Sequence, residues 1–344
     1  MPRVTWGMPF RIKVSLAIIA LLVATVVFVP LIVPISPPQG TVPLAEAVAK
    51  VARSDAELVA ADGVELYVVR TPYSGEGDAP LTFLLLHGYA SNAFSFDAIR
   101  HGLAAYGDVV AFDRPGFGLA SRPAPADFQG AENPYSQDAQ VAQTLALATR
   151  LGLHDLVLVG ENSGGVLALE LAVRHPELLS GLVLIGTPAY LLSQGGGAPK
   201  WVLATPQLQR IGPVLMRQLA GQPGEQMYTG TWYEPAGMTD AQRAARMLGT
   251  TVDGWDQALW QVTLAGTPAS LEGRVAQVSA PTLVLAGAAA GSVPLTEAER
   301  LMQELPHATL QQLAACGDLP QEECPEQFLD ATAAWLQSSG LSTR

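Results

Sequence analysis

The sequence predicts an α/β domain with a mostly parallel, doubly wound sheet and an inserted helical cap, preceded by a transmembrane helix. Uninterrupted apolar runs of strand length, such as LTFLLL (Leu81 to Leu86) and GLVLIG (Gly181 to Gly186), have the composition of strands buried on both faces. They alternate with amphipathic segments of helical length, which implies a parallel sheet covered on both sides. Two stretches break the pattern. Thr187 to about Ala280 holds Trp201, Trp232, Trp255 and Trp260 and reads as several helices with loops, and Val14 to Val29 carries no charge at all.

Taken in order, the first 35 residues are a separate physical object. Their apolar character runs on through Pro30, Leu31, Ile32, Val33, Pro34 and Ile35, enough to cross a hydrocarbon core of roughly 30 Å. Arg3, Arg11 and Lys13 precede the run and no Lys or Arg follows until Lys50. The positive-inside rule then puts residues 1–35 across a cell membrane as a single-pass anchor, N-terminus in the cytoplasm and main domain outside. A cleaved signal peptide is the competing reading, although no A-x-A site follows the run directly and Ala45-Glu46-Ala47 comes late. Residues 36–55, opening Ser36-Pro37-Pro38-Gln39-Gly40, read as a tether with room for a short helix before about Val51. A hairpin follows, with Leu58 to Ala60 and Leu66 to Arg70 flanking the turn pair Asp62-Gly63. After LTFLLL come a helix from about Phe94, the strand Asp108 to Phe112 and a helix from Gln137 to Leu151. Residues 56–186 and 281–340 form the expected core, and 187–280 the cap. Beyond the cap lie the strand Thr282 to Ala286, a helix from Leu295, the strand Thr309 to Leu313 and a last helix from Pro325.

Composition narrows the function classes. A formal charge of −12 leaves no basic footprint for a nucleic-acid partner. No His, Cys or carboxylate cluster has ligand spacing, and GENSGG lacks the spacing and the Lys of a phosphate loop, so neither a metal nor a cofactor is expected. Cys316 and Cys324 are the two cysteines. A disulfide between them and two unrelated thiols fit the sequence equally well.

The chemistry concentrates in LVLVGENSGGVLALELA, Leu156 to Ala172, a strand, a tight turn and a helix. With HGYASNAFSF, DRPGFGLASRP and APTLVLAG in the same order and spacing, the chain resembles the α/β-hydrolase superfamily, in its capped, lipase- and haloperoxidase-like branch, over about residues 56 to 338. The resemblance implies a nucleophile, an acid and a histidine on three separate loops. Carried over position by position, the nucleophile's place in Gly160-Glu161-Asn162-Ser163-Gly164 falls to Asn162. In Gly287-Ala288-Ala289-Ala290-Gly291-Ser292-Val293-Pro294 the acid's place falls to Ala290, and the residue after Gly317, where the histidine belongs, is Asp318. All three have changed, while the stretch His87-Gly88-Tyr89 implies an oxyanion hole built from the amides of Tyr89 and Ser163.

The expectation is therefore a membrane-anchored pseudo-hydrolase that binds a small ligand or a protein partner in a retained pocket, with the side-chain amide of Asn162 donating to Asp318. Glu161 is expected to point away from the cleft, Asp113 to organise its loop, and the cap tryptophans to line core or pocket. The alternative is an active hydrolase of a small ester using a non-standard nucleophile or base, with Ser163 moved to the apex by a one-residue slip, or His87 or Asp318 accepting a proton.

Overall fold

The computed structural model describes residues 10–124, 126–128, 133–191, 199–266 and 270–342. Arg3, the cap segments 192–198 and 267–269, and the C-terminal pair 343–344 lie outside them.

Eight strands form one sheet in the order β1-β2-β4-β3-β5-β6-β7-β8. They are β1 (Ala56–Ala61), β2 (Val64–Thr71), β3 (Thr82–Leu86), β4 (Asp108–Phe112), β5 (Leu156–Glu161), β6 (Leu179–Ile185), β7 (Thr282–Gly287) and β8 (Ala308–Leu313). The pairs β1/β2 and β2/β4 are antiparallel and every later pair is parallel. Strand periodicity sorts the core into two layers. In β5, Leu156 and Leu158 pack with Val166 and Leu169 on one face, whereas Val157 and Val159 pack with Phe83, Phe328 and Trp335 on the other. The first layer is closed by α4 (Gln137–Leu151), α5 (Ser163–Arg174) and α11 (Leu295–Glu304), and the second by α3 (Asp97–Leu103) and α13 (Pro325–Ser338).

Between β6 and β7 stand α6 (Lys200–Leu203), α7 (Pro206–Ala220), α8 (Gln222–Thr229), α9 (Asp240–Met247) and α10 (Trp255–Ala265). The start of α9 is fixed by a reciprocal cap in which Thr239 accepts from the Gln242 amide and the Gln242 side chain accepts from the Thr239 amide. Trp232, Trp255 and Trp260 are buried as expected, but Trp201 is 75% exposed and so lines neither core nor pocket. Its helix, Lys200–Leu203, has only one turn.

The short helix within the tether is docked on the core. Residues 44–51 form α2 (Leu44–Val51), whose apolar side (Leu44, Ala47, Val48, Val51) joins the core layer beside α3, while Val42 pairs with Val252. Thr41 donates to Asp253 at 2.5 Å. An amphipathic helix of this composition gains more by burial than as a free spacer. Ahead of it, α1 (Phe10–Ile32) is long and apolar enough to cross a membrane and has no buried residue.

Candidate functional site

The bend between β5 and α5 is as tight as the glycines suggest. A Cβ on Gly164 would strike the carbonyl oxygens of Leu86 and His87, and one on Gly160 would lie 2.5 Å from Gly165 Cα. Only hydrogen fits at either place. Asn162 crowns the bend at φ 50°, ψ −116°, with its backbone amide bonded to Ile185 O at 2.9 Å. Asn tolerates positive φ better than most side chains. Ser163 is the first residue of α5, one step past the apex, so the slipped frame is not the one adopted.

The side chains around this apex do not meet as expected. Asn162 Oδ1 turns back to accept from the Ser163 amide at 2.8 Å. Asp318 faces the loop after β7, accepting from Gly291 N (3.2 Å), Ser292 N (3.0 Å) and Ser292 Oγ (2.9 Å). The anticipated Asn162–Asp318 bond is therefore replaced by one local bond at Asn162 and three at Asp318. The reason is donor supply: a carboxylate has about four acceptor sites, and the turn at Gly291 and Ser292 offers three donors where one side-chain amide offers fewer. Ala290 and Asp318 do come together, lining a cavity of about 50 Å³ under β7.

Of the two amides expected in the oxyanion hole, that of Ser163 is taken by Asn162, and next to the Tyr89 position Gly88 N donates to Glu161 Oε2 at 2.5 Å. Glu161 does turn away from the apex, but into a buried position under Gly88, where desolvation raises its pKa against the pull of Arg246. His87 is wholly buried, its Nδ1 bonded to Gly88 O at 2.8 Å and its Nε2 accepting from Arg114 N at 3.0 Å. That is the neutral tautomer with both nitrogens engaged, and burial beside Arg114 holds the ring well below the usual imidazole range. It is no free base. His101, His154 and His307 are exposed and His175 is half-buried beyond the far end of α5. Ser163 Oγ accepts from Arg114 Nη2 at 2.9 Å, not from a histidine. Asp113 organises its loop as expected, accepting from Ala93 N and Leu119 N, and complete burial lifts its pKa to about 6. Cys316 and Cys324 are joined in a disulfide, Cα–Cα 6.2 Å.

Among the described residues, two cavities lie between the cap and the core. One of about 360 Å³ is mainly apolar, walled by Tyr89, Phe117, Met216, Leu219, Met227 and Trp255, with Ser91, Tyr228 and Arg246 on its polar side. A second, of about 350 Å³, shares Ser91, Tyr228 and Arg246 as a common wall and adds Ser95 and Glu322. Glu322 there accepts from Ser95 Oγ (2.5 Å) and Tyr228 OH (2.7 Å), and Arg246 donates to Ser91 Oγ at 2.9 Å. None of Asn162, Ala290 and Asp318 is on either wall. Sequence reading missed Arg114, Arg246 and Glu322. Only Arg114 carried a signal, standing inside DRPGFG; the others meet across more than 70 positions.

The sequence matches the α/β hydrolase family over residues 83–331. The chain belongs to that family. Among curated relatives of this α/β-hydrolase chain, an uncharacterized hydrolase of Bacillus subtilis (strain 168), YugF, is 24% identical over 80% of the chain and 96% of its own length. A 2-hydroxymuconate semialdehyde hydrolase of Pseudomonas putida is 29% identical over 64% of the chain and 73% of its own. Among solved structures, a thermophilic esterase from Thermogutta terrifontis superposes with TM-score 0.65 at 23% identity, covering 83% of this chain and 99% of that one. A membrane phospholipase A described as a bacterial virulence factor superposes with TM-score 0.63 at 23% identity over 96% and 98%. At such identities the structural likeness speaks for the fold.

Proposed function

We propose that this chain is a non-catalytic member of its family, anchored in a cell membrane by α1 with its main domain outside, that binds a small apolar ligand in the chamber under the cap. One observation carries the reading. The apex that would bear a nucleophile bears Asn162, whose own carbonyl fills the Ser163 amide at 2.8 Å. An amide nitrogen has its lone pair delocalised into the carbonyl and is a poor attacking atom. Ala290 has no acid to offer, and Asp318 is spent on the neighbouring turn. The charge asymmetry of Arg11 and Lys13 before the apolar helix supports the orientation. Nothing in the composition suggests a nucleic-acid partner, and the site residues suggest no cofactor.

The test is reaction of the full-length protein in detergent with a fluorophosphonate and with a panel of p-nitrophenyl esters. Neither labelling nor turnover is expected. Labelling abolished by Ser163→Ala would overturn the reading. The second reading, an active hydrolase of an ester or lipid, is favoured by the names of the relatives, which include hydrolases and a (lyso)-N-acylphosphatidylethanolamine lipase of Homo sapiens.

A further inference from the structure

Three hydrogen bonds stitch the exit of α1 to the cap helix α7. Gln207 Nε2 donates to Val27 O (3.1 Å), Arg210 Nη2 to Val33 O (3.0 Å) and Arg217 Nη1 to Ser36 O (2.6 Å). Val27 lies five residues before the end of α1, about 8 Å along the axis. If α1 spans the bilayer, its last turns mark the outer boundary of the hydrocarbon, and the first turn of α7 stands at that level. Trp201 lies just beyond that end of α7 with its indole in the open, the residue type favoured at headgroup depth.

The faces of α7 divide cleanly. Gly212 and Met216 are buried, Gly212 against the indole of Trp260. Leu208, Ile211, Leu215 and Leu219 fall on an adjacent stripe, the first two half-buried and the last two 44% and 59% exposed. The stripe starts at bilayer level and rises about 16 Å from Leu208 to Leu219. Leu219 is itself part of the chamber wall. A continuous apolar strip thus joins the two.

We infer that α7 is a lipid track: an amphiphile with a single acyl chain leaves the outer leaflet beside α1, and its chain passes along Leu208, Ile211, Leu215 and Leu219 into the chamber. This rests on the anchored, ligand-binding reading above and adds the ligand's class and route. The chamber, at about 360 Å³, is near the small end of the ~300–1,000 Å³ range of ligand pockets, which suits one chain and not two. Its apolar wall matches a hydrocarbon tail, and Ser91 and Arg246 supply donors for a polar head. A fatty acid and a lysophospholipid share this chemistry.

The experiment uses full-length protein in phosphatidylcholine vesicles and, in parallel, in detergent. Vesicles with brominated chains should quench the protein's fluorescence less in Trp201→Phe than in the natural chain; equal quenching would refute the docking of this corner. Loading is followed by energy transfer from tryptophan to a dansyl-labelled fatty acid and, separately, a dansyl-labelled lysophosphatidylcholine. Leu215→Glu, on the track but outside the chamber, should slow loading from vesicles about tenfold by placing a charge in the lipid path. Leu208→Gln should slow it in the same direction. Both variants should bind the probe in detergent as the natural chain does. Equal loading rates with detergent binding intact would sink the track and leave the ligand reading standing. Absence of binding in detergent, for both probes, would sink the ligand reading and the track with it.

Discussion

Restoring a hydroxyl at the apex should not by itself restore chemistry. In Asn162→Ser the side chain that now accepts from the Ser163 amide at 2.8 Å is removed. That frees one oxyanion donor, worth about 10²–10³ in kcat, or roughly 2.7–4 kcal/mol, where a reaction exists to use it. No imidazole is in reach, because His87 has both nitrogens bonded inside the protein. The missing general base costs about 10²–10⁴. The single variant should therefore hydrolyse p-nitrophenyl butyrate at background, and the triple variant Asn162→Ser/Ala290→Asp/Asp318→His should exceed it by about 10²-fold, the low end of that range. The low end is appropriate because Asp318→His also removes three bonds that hold the turn at Gly291 and Ser292. Initial rates with the melting temperature as a control for folding give the answer. A single variant as active as the triple would refute the reasoning, since a base would then exist that the structure does not reveal.

Four further outcomes rest on the same contacts. Asp318→Ala should lower stability by about 1–3 kcal/mol, read by urea unfolding, because it strands the donors of the turn. Asp113 has its pKa raised from 3.8 to about 6 by burial, so between those values the folded state holds a proton the unfolded chain releases. Stability should then fall as pH rises from about 4 to 6, by up to about 3 kcal/mol, and Asp113→Asn should flatten that slope whatever its offset. Gly164→Ala should cost about 3 kcal/mol, the upper end for overpacking, because the added methyl meets backbone carbonyls that cannot turn aside; soluble yield and melting report it. Cys316→Ser with Cys324→Ser opens a short loop and should cost about 2.5 kcal/mol on chain entropy, measured against the oxidised protein.

What the sequence revealed was what close spacing encodes. LTFLLL and GLVLIG read as buried strands because they need no partner information, and the glycines around Asn162 fix its place at the apex within five residues. Helix α2 was legible only as a short helix within the tether, because eight residues of amphipathic pattern do not say what they pack against. The direction of the Asp318 side chain was beyond reach, since it depends on which turn supplies more donors once β7 and β8 are paired. The wall of Ser91, Tyr228 and Arg246 assembles only when α8 and α9 settle over the β3 loop.

The loop that carries Asp318 is secured from every side. The disulfide brackets it, Gly317 N donates to Glu323 at 2.7 Å, and Asp318 N donates to Thr231 O, in the cap, at 2.7 Å. A roof riveted to its foundation at this corner moves least there, so whatever widens the space beneath it must lift an edge away from Asp318.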